Sequence, residues 1–344
     1  MNPVSVHRGP GRPGRTGPAC VHRACLLAAL SVGLVLPFAG SAWAQAPAWP
    51  TRPVRLLHGF GAGGNADIVT RLVAEPLAAE LGQPVIVDAR TGAGGNIASE
   101  YVARQPADGY TLVMLTGGHA VSAAIYRSLP FDPVTDFSMI STVTFYPLMI
   151  GVAAASPFAT LGAVIEAARG APGKLTYSSV GVGSTQHLAG ELFAAMAGVR
   201  LVHVPYRGGS APVQDAMSGQ VDLLFDTITA PLQFVRSGRI RALAVTSRER
   251  SASLPDVPPV ADSVPGFDVT TWMGAAGPAR LPSDVQVRLN EAFQRVVARP
   301  DLQRRLAEFG GAARSSTPAE MARLIETEAS RWKRLVAQAQ IERQ

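Results

Sequence analysis

The stretch that most constrains the fold runs from Pro53 to Leu81. An apolar run, Val54-Arg55-Leu56-Leu57, leads into His58-Gly59-Phe60-Gly61-Ala62-Gly63-Gly64-Asn65-Ala66-Asp67. Apolar residues then recur at helical spacing through Ile68, Leu72, Leu77 and Leu81. This reads as strand, glycine-rich turn and helix. Glycines let a backbone approach a ligand closely, and a helix start offers unpaired N–H groups with a partial positive charge. The unit is an anion site in the making. Pro76 falls inside the helical segment and predicts a kink or a break there.

The same alternation continues. Val85-Ile86-Val87 is a second short strand ending at Asp88, and Thr91-Gly92-Ala93-Gly94-Gly95-Asn96 opens a helix through Ala98, Val102 and Ala103. Thr111 to Leu115 is a third strand, ending in Thr116-Gly117-Gly118-His119 before a helical stretch to Tyr126. Three strand-loop-helix units in a row argue for a parallel sheet with right-handed crossovers. The β-branched segment 139–152 supplies one or two strands, and a domain crossing is expected at 150–157, where Ser156-Pro157 interrupts the run. Beyond it come helices at 161–169, 186–196 and 211–217, with strands at 174–178, 200–204, 221–225 and 241–245. Residues 251–266, with four prolines, read as a surface connection back to the first domain, and 267–272 as the returning strand. The tail is helical. Thr317-Pro318-Ala319-Glu320 matches a capping box with proline at the first helical position, and Leu324, Ile325, Trp332 and Leu335 would form its packed face.

The N-terminus has the pattern of an export signal. Arg8, Arg12, Arg15 and Arg23 precede an apolar stretch, Leu26 to Phe38, followed by Ala42-Trp43-Ala44, the small-x-small pattern of a cleavage site. Residues 1–44 are therefore read as a signal peptide, with a soluble periplasmic product beginning at Gln45. The apolar stretch falls short of the roughly 20 residues a membrane span needs. Removing it takes four of the 31 basic residues and none of the 25 acids, so the formal charge drops from +6 to +2. No basic stripe with interleaved aromatics remains, which argues against nucleic-acid binding. Cys20 and Cys25 leave with the signal, so no disulfide, thiolate metal site or cysteine nucleophile is expected.

Read alone, Gly59 to Gly64 satisfies a dinucleotide fingerprint, and Asp88 ends the next strand where a ribose-binding acid belongs. That alternative makes the chain a secreted NAD(P)-dependent oxidoreductase. Export, Pro76 and the further hydroxyl- or glycine-rich loops downstream count against it. No Gly-x-Ser-x-Gly elbow is present, since Gly208-Gly209-Ser210-Ala211-Pro212 fails at its last position. His58, His119, His187 and His203 lack zinc spacing. No catalytic residue, metal or cofactor is assigned. What the loops do share is donors at strand ends: Gly63 to Ala66, Thr116 to His119, Gly183 to Thr185 and Tyr206 to Gly208. In open α/β sheets such ends converge on a ligand crevice, and such groups hold carboxylates without a formal cation. Arg207 is a candidate counter-charge. Asp226 could accept a bond from a ligand amine or hydroxyl, or from a neighbouring loop group.

With these segments the chain resembles the Bug family of periplasmic solute-binding receptors, the binding components of tripartite tricarboxylate transporters. The resemblance is carried by Gly59 to Asp67, Arg90 to Asn96, Asp108 to Leu112, Tyr177 to Glu191, Val204 to Gly208 and Leu254 to Pro258. It implies an α/β, two-lobed periplasmic-binding-protein fold of the Venus-flytrap, type II-like kind, with a mixed, mainly parallel sheet in each lobe. The lobes would be 53–150 with 272–344, and 151–271. It implies capture of a small carboxylate, an organic acid or amino acid, by a monomeric receptor serving membrane transport subunits. The ligand-holding role carries to Gly64, Asn65 and Ala66 on one side and to Ser178, Gly183, Ser184 and Thr185 on the other. Phe60, Gly63, Thr116, His119, Tyr206 and Arg207 are placed at the same cleft, and Asp226 at a selectivity position. The first loop departs from the proline-rich form common in the family by having Gly61-Ala62 and Asn65, which bears on ligand identity more than on fold.

Overall fold

A computed structural model describes residues 49–344, and the export segment expected at 1–44 lies outside the described residues. The first half of the alternation forms β1 (Val54–His58), α1 (Asn65–Leu81), β2 (Val85–Ala89), α2 (Asn96–Ala103), β3 (Thr111–Thr116) and α3 (Gly118–Ile125). A long strand, β4 (Phe137–Ala153), follows. Then come α4 (Leu161–Gly170), β5 (Thr176–Ser179), α5 (Thr185–Ala197), β6 (Val202–Pro205), α6 (Ala211–Ser218), β7 (Leu223–Thr227), α7 (Leu232–Arg236) and β8 (Ile240–Val245). The chain returns through β9 (Thr270–Pro278) and ends in α8 (Ser283–Val297), α9 (Pro300–Glu308), the short β10 (Ala312–Ala313) and α10 (Pro318–Gln338).

β1 pairs in parallel with β2 and β3, and β5 in parallel with β6 and β7. Antiparallel β9 and β4 lie between these triples, giving the order β2-β1-β3-β9-β4-β7-β5-β6, with β8 and β10 also on β4. β4 is a single strand with three register shifts, two against β9 and one against β8, and it changes partner in its middle: Phe137 to Pro147 pair with β9, whereas Leu148 to Ala153 pair with β7 and β8. The change falls after Pro147, which has no N–H to give to a ladder. The N–H of Leu148 goes instead to Thr246 Oγ1 at 2.8 Å. The returning connection passes the same point, since the N–H of Val269 donates to the carbonyl of Thr246 at 2.9 Å.

Separate cores lie under the two ends of this sheet. One packs Leu56, Val73, Leu77 and Leu112 against Leu289 and Phe293 of α8. The other gathers Ile150, Tyr177, Phe193 and Phe225. α3 contributes Val121 and Ile125 to this second core, and the end of α10 contributes Trp332 and Val336. α10 thus bridges, because its earlier residues Met321 and Ile325 are buried with β3 and β9.

The break expected at Pro76 does not occur, for α1 runs continuously from Asn65 to Leu81. A proline inside a helix costs about 3 kcal/mol. Burial of Leu72, Val73, Leu77 and Leu81 opposes that cost at about 1.5–3 kcal/mol each. The returning strand begins at Thr270, not at 267, because Val269 is held by Thr246 and Phe267 is buried in the second core. The capping box of α10 is present: Thr317 Oγ1 accepts from the N–H of Glu320 at 3.2 Å, and Glu320 Oε2 accepts from the N–H of Thr317 at 2.8 Å.

Candidate ligand-binding cleft

Two helix starts meet at one cavity. α1 is capped by Gly64, and α5 by Ser184, whose Oγ accepts from the N–H of His187 at 3.2 Å and donates to the carbonyl of Gly181 at 2.6 Å. The N–H groups of Asn65 and Ala66, and of Thr185 and Gln186, occupy first-turn positions that have no intrahelical acceptor. All four residues line a cavity of about 410 Å3, measured out to its mouth.

The glycines serve close approach of backbone to backbone. The N–H of Gly61 donates to the carbonyl of Arg207 at 3.0 Å. A Cβ on Gly64 would lie 2.9 Å from the nitrogen of Gly209, and one on Gly94 would lie 2.5 Å from the carbonyl oxygen of Val182. These contacts bring the loops of the first half against those of the second. They also correct the dinucleotide reading. Gly59 is needed because Gly95 Cα would stand 2.4 Å from its Cβ, not because a pyrophosphate must approach. Asp88, the expected ribose ligand, is paired with Arg55 at 2.5 Å.

Among the described residues no lysine or arginine lines the cavity. Its donors are neutral: the helix-start N–H groups, the hydroxyls of Thr116, Thr227, Thr271 and Tyr146, and the amides of Asn65 and Gln186. Thr185 Oγ1 and Thr271 Oγ1 share a hydrogen bond at 3.2 Å, and the Asn65 amide is bonded to the Tyr146 hydroxyl. Positive potential comes from the two helix ends, each equivalent to about half a charge. Such an array stabilises a carboxylate by hydrogen bonds and dipoles. The single charged side chain lining it among the described residues is acidic. Asp226 is 3% exposed, and burial pushes its carboxyl up to about 6 against the opposing pull of its hydrogen bonds from Thr227 and Gln186. Burial also raises the Tyr146 hydroxyl, with the charge of Asp226 adding to the effect.

Among the residues singled out in the sequence, Phe60, Gly64, Asn65, Ala66, Thr116, Thr185 and Asp226 line the cavity. The others stand behind or beside it. Gly63 donates its N–H to Asp67 Oδ2 at 3.0 Å. Ser178 is turned to the carbonyl of Leu223 within the sheet. Gly183 and Ser184 shape the turn, and Tyr206 donates to Asp215 Oδ2 at 2.6 Å. The Arg207 side chain is exposed and only its carbonyl joins the loop contact, so it offers no counter-charge inside the cavity. His119 is buried between Phe131 and Phe137 and bonded to the carbonyl of Pro133 at 2.8 Å, and burial pushes it down to about 4.

Sequence reasoning named the Tyr206 to Gly208 loop, whose Gly208 lines the cavity, but did not name Tyr146, Val180, Gln186, Gly209, Thr227 and Thr271 as contacts. Gln186 and Thr227 adjoin residues that were named, and one step further along each motif would have reached them. Tyr146 and Thr271 carry no motif. They face each other only because β4 and β9 pair in that register.

The model of the tripartite tricarboxylate transporter family receptor matches residues 69–341. A protein from the tcbD-tcbE intergenic region of Pseudomonas sp. strain P51 is 37% identical over 293 residues, which is 85% of this chain and 87% of that one. Rpa4515 of R. palustris, solved with adipate, superposes with a TM-score of 0.83 at 35% identity, covering 86% of this chain and all of that one. The periplasmic binding protein BugD gives 0.83 at 32% over the same shares. MatC from Rhodopseudomonas palustris, with bound malate, gives 0.81 at 29%, covering 84% of this chain and all of that one.

Proposed function

The chain belongs to the tripartite tricarboxylate transporter receptor family, and on that premise we propose that it captures a small carboxylate in its cleft and presents it to transporter membrane subunits. One observation carries the reading: the starts of α1 and α5 converge on a cavity whose donors are all uncharged. A carboxylate seated there would accept from Asn65, Ala66, Thr185 and Gln186 N–H groups and from the surrounding hydroxyls. The adipate and malate bound by two similar proteins belong to the same chemical class. The reading assigns the chain no catalytic step.

The proposed lobes are 53–150 with 272–344, and 151–271. The partner change of β4 and the return past Thr246 support a hinge there. Closure would bring the glycine loops together as in the Gly61–Arg207 contact, burying the ligand between them. Bridging α10 would limit the motion to a rotation about that helix and the two strand crossings. Export by a cleaved signal peptide at 1–44 and action as a monomer complete the proposal.

A thermal-shift panel of organic acids, amino acids and aromatic acids tests it. A ligand present at a hundredfold excess over its dissociation constant raises stability by about 2.7 kcal/mol. No shift across the panel with folded protein overturns the reading. So does a nucleotide, without any carboxylate, found by mass spectrometry of the natively purified protein.

A further inference from the structure

The cavity has two unlike poles. At one, α1 and α5 present N–H groups. At the other stands Asp226, the only charged side chain in the walls among the described residues. All of its hydrogen bonds fall on one oxygen: Oδ1 accepts from the N–H of Thr227 at 2.7 Å, from Thr227 Oγ1 at 3.4 Å and from Gln186 Nε2 at 3.4 Å. Among the described residues Oδ2 accepts none. Gln186 joins the poles, since its backbone N–H lies in the first turn of α5 while its side chain reaches Asp226. The poles are therefore about one glutamine side chain apart.

Oδ2 keeps access to the cavity's solvent, so a ligand that covers it without offering a donor strips that water away at a cost, and a second carboxylate brought against it is repelled. A ligand that places only a methylene or another anion there weakens its own binding. A ligand that brings an O–H or N–H removes the penalty. Given the carboxylate reading above, on which this rests, we propose that Asp226 selects carboxylates that carry a hydrogen-bond donor, a hydroxyl or an ammonium group, beside the carboxylate, by pairing that donor with its Oδ2. The ligand class is thus narrowed from small carboxylates to hydroxy acids and amino acids. Burial raises the Asp226 carboxyl only to about 6, which leaves it chiefly ionised, and so an acceptor, at neutral pH.

The test uses matched acids at neutral pH and isothermal titration calorimetry. Three series differ only at C2: propionate, lactate and alanine; succinate, malate and aspartate; glutarate, 2-hydroxyglutarate and glutamate. In the series that binds, a donor-bearing member should bind at least tenfold more tightly than its plain parent. Asp226→Asn offers a donor where Asp226 offers an acceptor, so it should reduce that ratio at least tenfold. Asp226→Ser serves if Asp226→Asn does not fold, and the wild-type ratio is decisive without either. Equal affinity for parent and donor-bearing members, or a ratio unchanged in the variants, overturns the selection by Asp226 and leaves carboxylate capture standing. No binding by any member of the three series, with folded protein, overturns the selection, and carboxylate capture falls with it only if the wider acid panel also gives no shift.

Discussion

Thr246 and Leu148 exchange hydrogen bonds at the point where β4 changes partner. The N–H of Leu148 donates to Thr246 Oγ1 at 2.8 Å, and the N–H of Thr246 donates to the carbonyl of Leu148 at 3.0 Å. The same hydroxyl donates to the carbonyl of Val269 at 2.7 Å, so one fully buried side chain ties both strand crossings together.

Thr246→Val keeps the shape of the side chain but leaves the N–H of Leu148 without its acceptor. A buried polar group stripped of its partner costs about 1–3 kcal/mol. Urea unfolding should show a loss in that range. A loss below about 0.5 kcal/mol would contradict the part given to Thr246 in joining the crossings.

Gly64→Ala should act on closure more than on folding. Gly64 has φ of −84°, which any residue adopts, yet its Cβ would lie 2.9 Å from the nitrogen of Gly209 across the cleft. Calorimetry should find affinity for the best ligand reduced tenfold or more. Melting of the ligand-free protein should fall only by the difference in capping preference, about 1 kcal/mol.

Ser184 and Thr185 should separate stability from binding. Ser184→Ala removes the cap of α5 and should cost about 1 kcal/mol in the ligand-free protein. Thr185 lines the cavity and shares a hydrogen bond with Thr271. Thr185→Val should weaken ligand binding severalfold, and titration of the two variants side by side decides whether the roles are divided in this way.

Acid should destabilise the fold through buried and half-buried histidines. Burial pushes His119 and His187 down to about 4 and His203 to about 3, with the charge of neighbouring His187 adding to the shift of His203. Their unfolded forms take up protons below about 6.5, so between about pH 6.5 and 4 the unfolded state binds more protons and stability falls with pH. Asp226 works in the opposite sense. Its raised carboxyl takes a proton earlier in the folded state, between about 6 and 4. Burial also holds the His58 imidazole down, so four imidazoles oppose the one carboxyl and stability falls steeply toward acid. Urea unfolding at pH 7, 6 and 5 measures it, and a flat profile would contradict the burial of these imidazoles.

The helix starts were legible because their signals are local. Gly64-Asn65 and Ser184-Thr185 sit where an apolar strand gives way to helical spacing, and both became cavity walls or caps. Asp226 was legible as an acid at a strand end. Arg207 was misleading for the same reason: the loop was placed correctly, but a long side chain can turn to solvent while its carbonyl does the bonding.

The sequence by itself determined the alternation of strand, loop and helix, the capped start of α10, and the glycines at the loop tips. All of these follow from side-chain periodicity and backbone freedom over a few residues. Only the tertiary structure decided that Tyr146 would face Thr271, that α1 would pass through Pro76 unbroken, and that Gly64 would meet Gly209 across the cleft. Register between β4 and β9, burial of an entire helix face and contact between loops about 145 residues apart are sums over distant parts of the chain. No local pattern encodes them.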